Sequence, residues 1–244
     1  MAAWMALALV VLGAIRYVPG IVTVSTSIDG RELPIYCVDT EKKQVALSFD
    51  VIQGNTKIQK ILEILAEHQV KATFFVTGEW VKSFPEEVKA VCAAGHDLGN
   101  YGDNHTDMVR LDNEGKTAEL MGVQKKVKDL TGTDMKLFRP PYGSYDNAVI
   151  HNARENGYYA IQWSVDSLDW KDYGTEAIVE TVCNHKNLEN GAIIRMHNGA
   201  KYTAEALDRI LAALQEQGYE LVPVSELIYK ENFHLDQEGR QIGN

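Results

Sequence analysis

Five short stretches of this chain end apolar runs in residues that do acid-base chemistry. Asp50 closes Val45-Ala46-Leu47-Ser48-Phe49, the loop Asn100 to His105 follows Asp97-Leu98-Gly99, and Arg139 follows Leu137-Phe138 and opens Arg139-Pro140-Pro141-Tyr142-Gly143. Asp166-Ser167-Leu168-Asp169-Trp170 and His197, after Ala192 to Met196, complete the series. An Asp and a His that converge on one mouth can serve as general base and general acid, and a further carboxylate such as Asp166 would orient the imidazole. Arg139 suits a tether, because a planar guanidinium holds a carboxylate in one orientation. A lone Asp, Arg or His on a loop is most often a solvated surface residue. Five at equivalent strand ends point to one site, since side chains converge at the C-terminal ends of parallel strands.

The elements that must position them follow from periodicity. Val45 to Phe49 reads as a strand buried on both faces, ended by the Gly54-Asn55 turn. Ile58, Ile61, Leu62 and Leu65 share one helical face, closed by His68, and lead to the buried strand Ala72 to Val76. Pro85 starts a helix with Glu86 and Glu87 in its first turn and Gly95 at its stop. Further helices are predicted over about 116–130, 147–156, 175–185 and 204–217, each feeding a short apolar run. Roughly seven alternations with short connections predict an α/β fold, parallel strands closed into a barrel. The expected organisation is an apolar segment over 1–24, a lead-in over 25–44 with a short strand at Pro34 to Val38, the barrel over 45–229, and a polar tail over 230–244 that needs no fixed fold.

A chain of 244 residues suits one such domain. The net charge of -10 argues against nucleic acid, whose phosphates call for clusters of Lys and Arg. Cys37, Cys92 and Cys183 are odd in number and lack C-x-x-C spacing, so neither a disulfide framework nor a zinc knuckle is indicated. Met1 to Ile15 carries no charge, and after Arg16 the chain is apolar again through Val24 apart from Gly20. The expectation is a signal or membrane anchor with the domain outside the cytoplasm, Arg16 snorkelling if the segment spans.

Ser48-Phe49-Asp50, Asn100 to His105, Arg139 to Gly143, Asp166 to Trp170 and Met196-His197 together resemble the five ordered motifs of the polysaccharide deacetylase family, also called NodB-homology or carbohydrate esterase family 4. The resemblance runs from about Val45 to Leu227. It implies a distorted (β/α)-barrel, a bacterial cell-wall glycan of the peptidoglycan type as partner, and metal-assisted hydrolysis of its acetamide C–N bond with a divalent, zinc-type ion. It also implies roles: Asp50 as base, Arg139 as its tether, the backbone N–H of Tyr142 as oxyanion donor, Asp166 as partner of the acid, His197 as the acid, Trp170 as pocket wall, and Asp169 in the substrate pocket, where strand parity also puts Arg195.

Three positions depart from the family pattern. Val51 stands where the family has a second, metal-binding acid, and Tyr101 where it has the first of two histidine ligands, so His105 alone remains of three. Valine cannot ligate and neutral tyrosine does so poorly, leaving Asp103 or Asn55 as conceivable substitutes. Arg195 replaces a leucine of the acetyl pocket; two residues before His197 on a strand, it faces the same side. There it would give Asp50 a permanent counter-charge and close the pocket, unless a bulge turns it to solvent. Two readings follow: a deacetylase with an incomplete or rebuilt metal site, or a catalytically inactive glycan-binding or scaffold protein.

Overall fold

The computed structural model describes Val24, Ser25, Ser27, Ile28 and residues 30–244, so the signal or anchor expected at the N-terminus lies outside the described residues. Among the described residues no helix is long and apolar enough to cross a membrane. The strands are β1 (Val24–Ser25), β2 (Ser27–Ile28), β3 (Arg31–Glu32), β4 (Cys37–Val38), β5 (Gln44–Val51), β6 (Thr73–Val76), β7 (Asp97–Asn100), β8 (Leu137–Phe138), β9 (Tyr159–Ala160), β10 (Val165–Asp166), β11 (Ile193–His197), β12 (Glu220–Val222), β13 (Phe233–Leu235) and β14 (Arg240–Gly243). The helices are α1 (Ile58–Glu67), α2 (Gly78–Ser83), α3 (Pro85–Ala93), α4 (Asn113–Thr131), α5 (Asn147–Glu155), α6 (Thr175–Cys183), α7 (Thr203–Glu216) and α8 (Val224–Leu227).

Local chemistry explains the boundaries. Pro85 opens α3 with Glu86 and Glu87 in its first turn, and His68 caps the end of α1, as the sequence predicts. The Asp112 carboxylate accepts from the Gly115 N–H at the start of α4, and Gly132, in the left-handed conformation, ends it. The sequence reading did not anticipate α2, which is short and owes its start to the Thr77 hydroxyl accepting from the Trp80 N–H.

The main sheet runs β10-β11-β5-β6-β7-β8-β9, all parallel, with β12 also paired to β5. This is the expected α/β architecture of about seven strands, curled but not closed by its own strands. The segment taken as a lead-in bridges the opening instead. Ile35 donates its N–H to Ala160 O (2.8 Å) and accepts from the Gln162 N–H (2.7 Å), while the Val38 N–H reaches Gly191 O (2.9 Å).

Strand parity divides the interior into two layers. Val45, Leu47, Phe49 and Val51 of β5 pack under the helices with Ile61, Val88, Leu120 and Leu207, all buried. Ala46 faces the concave side, and Ser48 and Asp50 share that face by their period of two. On β11 the same rule sends Ile194 and Met196 to the helices and leaves Arg195 and His197 with Asp50. A Cβ on Gly99 would meet the Phe75 ring at 2.5 Å, so the glycine makes room for that ring on the concave side.

The tail expected to need no fixed fold is folded. β13 pairs with β14 and β1, β14 pairs with β4, and Phe233 and Leu235 join Leu33 and Ile35 in the concave cluster. Gln241, fully buried, donates to Tyr229 O (2.7 Å) and accepts from the Tyr229 N–H (2.9 Å). The segment is polar on average, and its two apolar anchors at period two were too few to read as a strand. Phe233→Ala should therefore lower the unfolding free energy by about 3–5 kcal/mol in urea titration. An unchanged midpoint would mean that the tail contributes nothing to the core.

Candidate active site

Asp50 sits near the end of β5, 1% exposed, and both of its oxygens are engaged. Oδ1 accepts from Arg139 Nη1 at 2.6 Å, and Oδ2 accepts from the Tyr101 hydroxyl at 2.9 Å. Arg139 arrives from the turn after β8 and is itself fully buried. Its Nη2 donates to Ser48 Oγ (2.9 Å) and Gln162 O (3.1 Å), and its guanidinium lies 4.0 Å above the Phe75 ring. Arg139 thus holds Asp50 as the sequence led us to expect. Ser48 was not foreseen, although its place two residues before Asp50 on one strand is a parity signal.

His197 ends β11 directly beside Asp50, its register partner, with Nε2 3.9 Å from Asp50 Oδ2. The carboxylate that orients the imidazole is that of Asp169, not Asp166 as expected. Asp169 Oδ1 lies 2.7 Å from His197 Nδ1, while Oδ2 accepts from the His197 N–H (2.8 Å) and the Thr203 hydroxyl (2.6 Å). Burial works to raise the Asp169 pKa, but the bonds from the His197 ring, Thr203 and the His197 amide outweigh it and hold the carboxyl below its usual range. The bend at Leu168, in the left-handed conformation, turns the chain so that Asp169 rather than Asp166 points at His197.

Asp166 instead faces Arg195, its register partner, with Oδ2 3.3 Å from Nη2. Arg195 points inward as strand parity predicts. Its Nε is 3.9 Å from Asp50 Oδ2, and its guanidinium stacks 3.8 Å from the Trp163 ring, an aromatic partner that the sequence reading passed over. Arg139 and Arg195 against Asp50 and Asp166 make two positive and two negative side chains in one contact network.

Of the three positions expected to hold a metal, Tyr101 and His105 lie side by side and Val51 does not join them. Val51 is fully buried in the layer under the helices, on the opposite face of β5 from Asp50. Tyr101 directs its hydroxyl at Asp50, and burial, then the Asp50 charge, pushes its pKa well above the usual 10. It therefore remains a neutral donor. His105 packs its ring 4.7 Å from that of Tyr101 and 4.4 Å from that of Tyr142, its Nε2 buried without a protein partner. Asp103 pairs with Lys126 and packs against Gly78 and Gly122, and Asn55 donates to Glu87, so neither is a substitute ligand. Among the described residues no three His, Cys, Asp or Glu side chains are grouped to hold a metal ion.

Two separate openings result. A cleft of about 840 Å³ is lined by Asp50, Trp170, His197, Lys57, Asp172 and Lys201 among others. Trp170, 53% exposed, walls it as expected. Tyr142 and His105 line a second groove of about 490 Å³ with Asn104, Asp107 and Arg110. Tyr142 has a positive φ of 61°, costly for a residue with a Cβ, at the turn that the two prolines impose.

Comparison with known proteins gives a family match and several relatives. A family profile for polysaccharide deacetylase matches residues 38–161. The uncharacterized protein YlxY of Bacillus subtilis is 35% identical over 195 residues, which are 80% of this chain and 60% of that relative, so the chain spans about three-fifths of its length. The peptidoglycan-N-acetylmuramic acid deacetylase PdaA of Bacillus subtilis is 32% identical over 203 residues, 82% of this chain and 77% of that protein. The solved structure of a carbohydrate esterase family 4 pseudoenzyme from Bacillus anthracis superposes with a TM-score of 0.76 at 34% identity, covering 80% of this chain and 68% of that one.

Tyr101→Phe removes one of the two close donors to a buried carboxylate, and at neutral pH should cost about 1–3 kcal/mol of stability. Because the folded pKa of Tyr101 is raised, its contribution is complete below about pH 10 and is lost as the pH climbs through the folded value. Urea titrations of both proteins across alkaline pH should show the gap narrowing only above about pH 10. Equal stabilities at pH 7 would show that the Asp50–Tyr101 bond carries no weight.

Proposed function

Because the chain belongs to the polysaccharide deacetylase family, we propose that it binds N-acetylated cell-wall glycan of the peptidoglycan type in the Asp50–His197 cleft, without metal-dependent hydrolysis at the residues it now has. The observation that carries this is the Tyr101 hydroxyl on Asp50 Oδ2 at 2.9 Å. It takes up one of the lone pairs of that oxygen and stands at the position of a ligand in the family. The donor set does not fit a zinc-type ion: Val51 offers no lone pair, Tyr101 is held neutral, and His105 alone cannot supply the ligands such an ion takes. Arg195, held by Asp50, Asp166 and Trp163, brings a fixed positive charge to this concave face. The proposed location is the cell envelope, outside the cytoplasm, where such glycan lies.

What remains of the acid-base apparatus favours one second reading. His197 keeps a buried carboxylate partner, so hydrolysis that ignores chelators is the form of activity this site could still support. The deciding experiment incubates the purified chain with N-acetylglucosamine oligomers, with and without added zinc or chelator, and follows both binding and acetate release. Binding without acetate is the expected result. Zinc-stimulated release with one zinc per chain by elemental analysis would overturn the proposal, and chelator-insensitive release would establish the second reading.

Reversal at the departing positions gives a further expectation. Val51→Asp alone puts an unpaired carboxylate in a dry layer and should destabilise the chain by about 3–5 kcal/mol. Tyr101→His with Arg195→Leu, which sets a second imidazole beside His105, should raise zinc affinity, measured by competition with a chromogenic chelator. A combined variant that binds zinc no better than the unaltered chain would show that ligand identity is not what limits metal binding.

A further inference from the structure

The loop after His197 has little of its own to hold it in place. It joins β11 to α7, and Asn198, Gly199, Ala200 and Lys201 from it line the Asp50–His197 cleft. Gly199 has no side chain and Ala200 only a methyl, so the backbone there is free to move unless something outside the loop restrains it. The restraint comes from the segment after β5, which lines the same cleft through Gly54 and Lys57. Asn198, 3% exposed, donates Nδ2 to Gly54 O at 3.2 Å, and its N–H reaches Asp50 O at 3.3 Å. Gly54 O also accepts from Trp80 Nε1 at 2.7 Å, a ring sealed in the core, so this anchor is itself fixed. A Cβ on Gly199 would come within 3.3 Å of Gln53 O, a measure of how closely the two segments run. Lys57 makes the remaining tie: its Nζ donates to Ala200 O at 2.8 Å and to Lys201 O, spanning two consecutive peptide units.

Helix stability does not explain a lysine at this position. Lys57 is the N-cap of α1, where Ser, Thr, Asp and Asn are favoured because they accept from free N–H groups, and its side chain makes no such cap. No acid stands in the first turn of α1 to offset its charge. The carbonyls that it grips come just before Thr203, where α7 begins, so the ammonium lies near the N-termini of two helices, and each disfavours a cation. A residue that goes against local preference in this way answers a demand from elsewhere in the fold. Here the demand is the pair of carbonyls in the cleft wall. Beyond them Thr203 donates to Asp169 Oδ2 at 2.6 Å, so the loop is pinned at its start, its middle and its end.

We infer that Lys57 is a positioning residue whose ammonium holds Gly199 to Lys201 as a preformed wall of the cleft, so that a ligand binds without having to order that wall. The choice of ligand rests on the glycan-binding reading above; the wall rests on the bonds alone.

The test uses the full chain, Lys57→Met, which keeps the apolar stem and removes the ammonium, and Lys57→Arg, which returns a cation. Backbone amide relaxation at Gly199, Ala200 and Lys201 should give order parameters of about 0.85 in the unaltered chain and below about 0.6 in Lys57→Met, with Lys57→Arg close to the unaltered chain. Calorimetry with an N-acetylglucosamine tetramer should show Lys57→Met binding about tenfold more weakly, with a more unfavourable entropy, and a saturating tetramer should restore its order parameters. Lys57→Arg should bind within about twofold of the unaltered chain, as should Lys60→Met, which alters an exposed lysine of α1 that pairs with Glu63. Unchanged order parameters in Lys57→Met would overturn the inference. A mobile wall with unchanged affinity would overturn it too, because Lys57 would then serve the fold and not the ligand. Failure of the unaltered chain to bind the tetramer would overturn the glycan-binding reading instead, and the order parameters of the free chains would still decide whether Lys57 fixes the wall.

Discussion

A carboxylate buried to 1% exposure is tolerable only when its charge is answered, and the concave side of this protein is arranged around answering that of Asp50. Arg139 does most of this, at 2.6 Å and fully out of solvent. The guanidinium needs its own support, which comes from Ser48, the Gln162 carbonyl and the Phe75 ring. Phe75 in turn needs the space that Gly99 leaves. One ion pair therefore ties β5, β6, β7 and the turn after β8 into a single arrangement, and removing one partner would leave the other charge buried and unpaired.

The second oxygen of Asp50 decides what the site can do. In a hydrolytic site of this kind it would face an attacking water beside a cation. Here it faces a tyrosine hydroxyl that burial keeps protonated, with the Arg195 guanidinium on the same side. Two arginines face two aspartates in this contact network. The His197–Asp169–Thr203 group meets that network through His197 Nε2, 3.9 Å from Asp50 Oδ2.

The division into two openings has the same cause. Tyr101 touches Asp50 with its hydroxyl and His105 with its ring, so it stands between the group that lines the larger cleft and the group that lines the His105–Tyr142 groove. The larger cleft keeps the exposed Trp170 ring, with Lys57 and Lys201 in its lining.

Much of this was legible in the chain itself. Apolar runs ending in Asp50, Arg139 and His197 disclosed strand ends, and a period of two on β11 placed Arg195 beside His197 before any coordinates. Residue identity also determined that Val51 and Tyr101 cannot act as an acid and an imidazole, because ligand chemistry belongs to the side chain and not to its surroundings. Tertiary structure alone decided which aspartate serves His197, since a left-handed bend at Leu168 reverses the order that spacing implies. It also recruited the apparent lead-in and tail as the closure of the barrel, because pairing between Ile35, Val38, β13 and β14 and segments far along the chain leaves no local periodicity to read. Local pattern specifies what a residue is able to do; the partners that make it do so come from contacts distant in sequence.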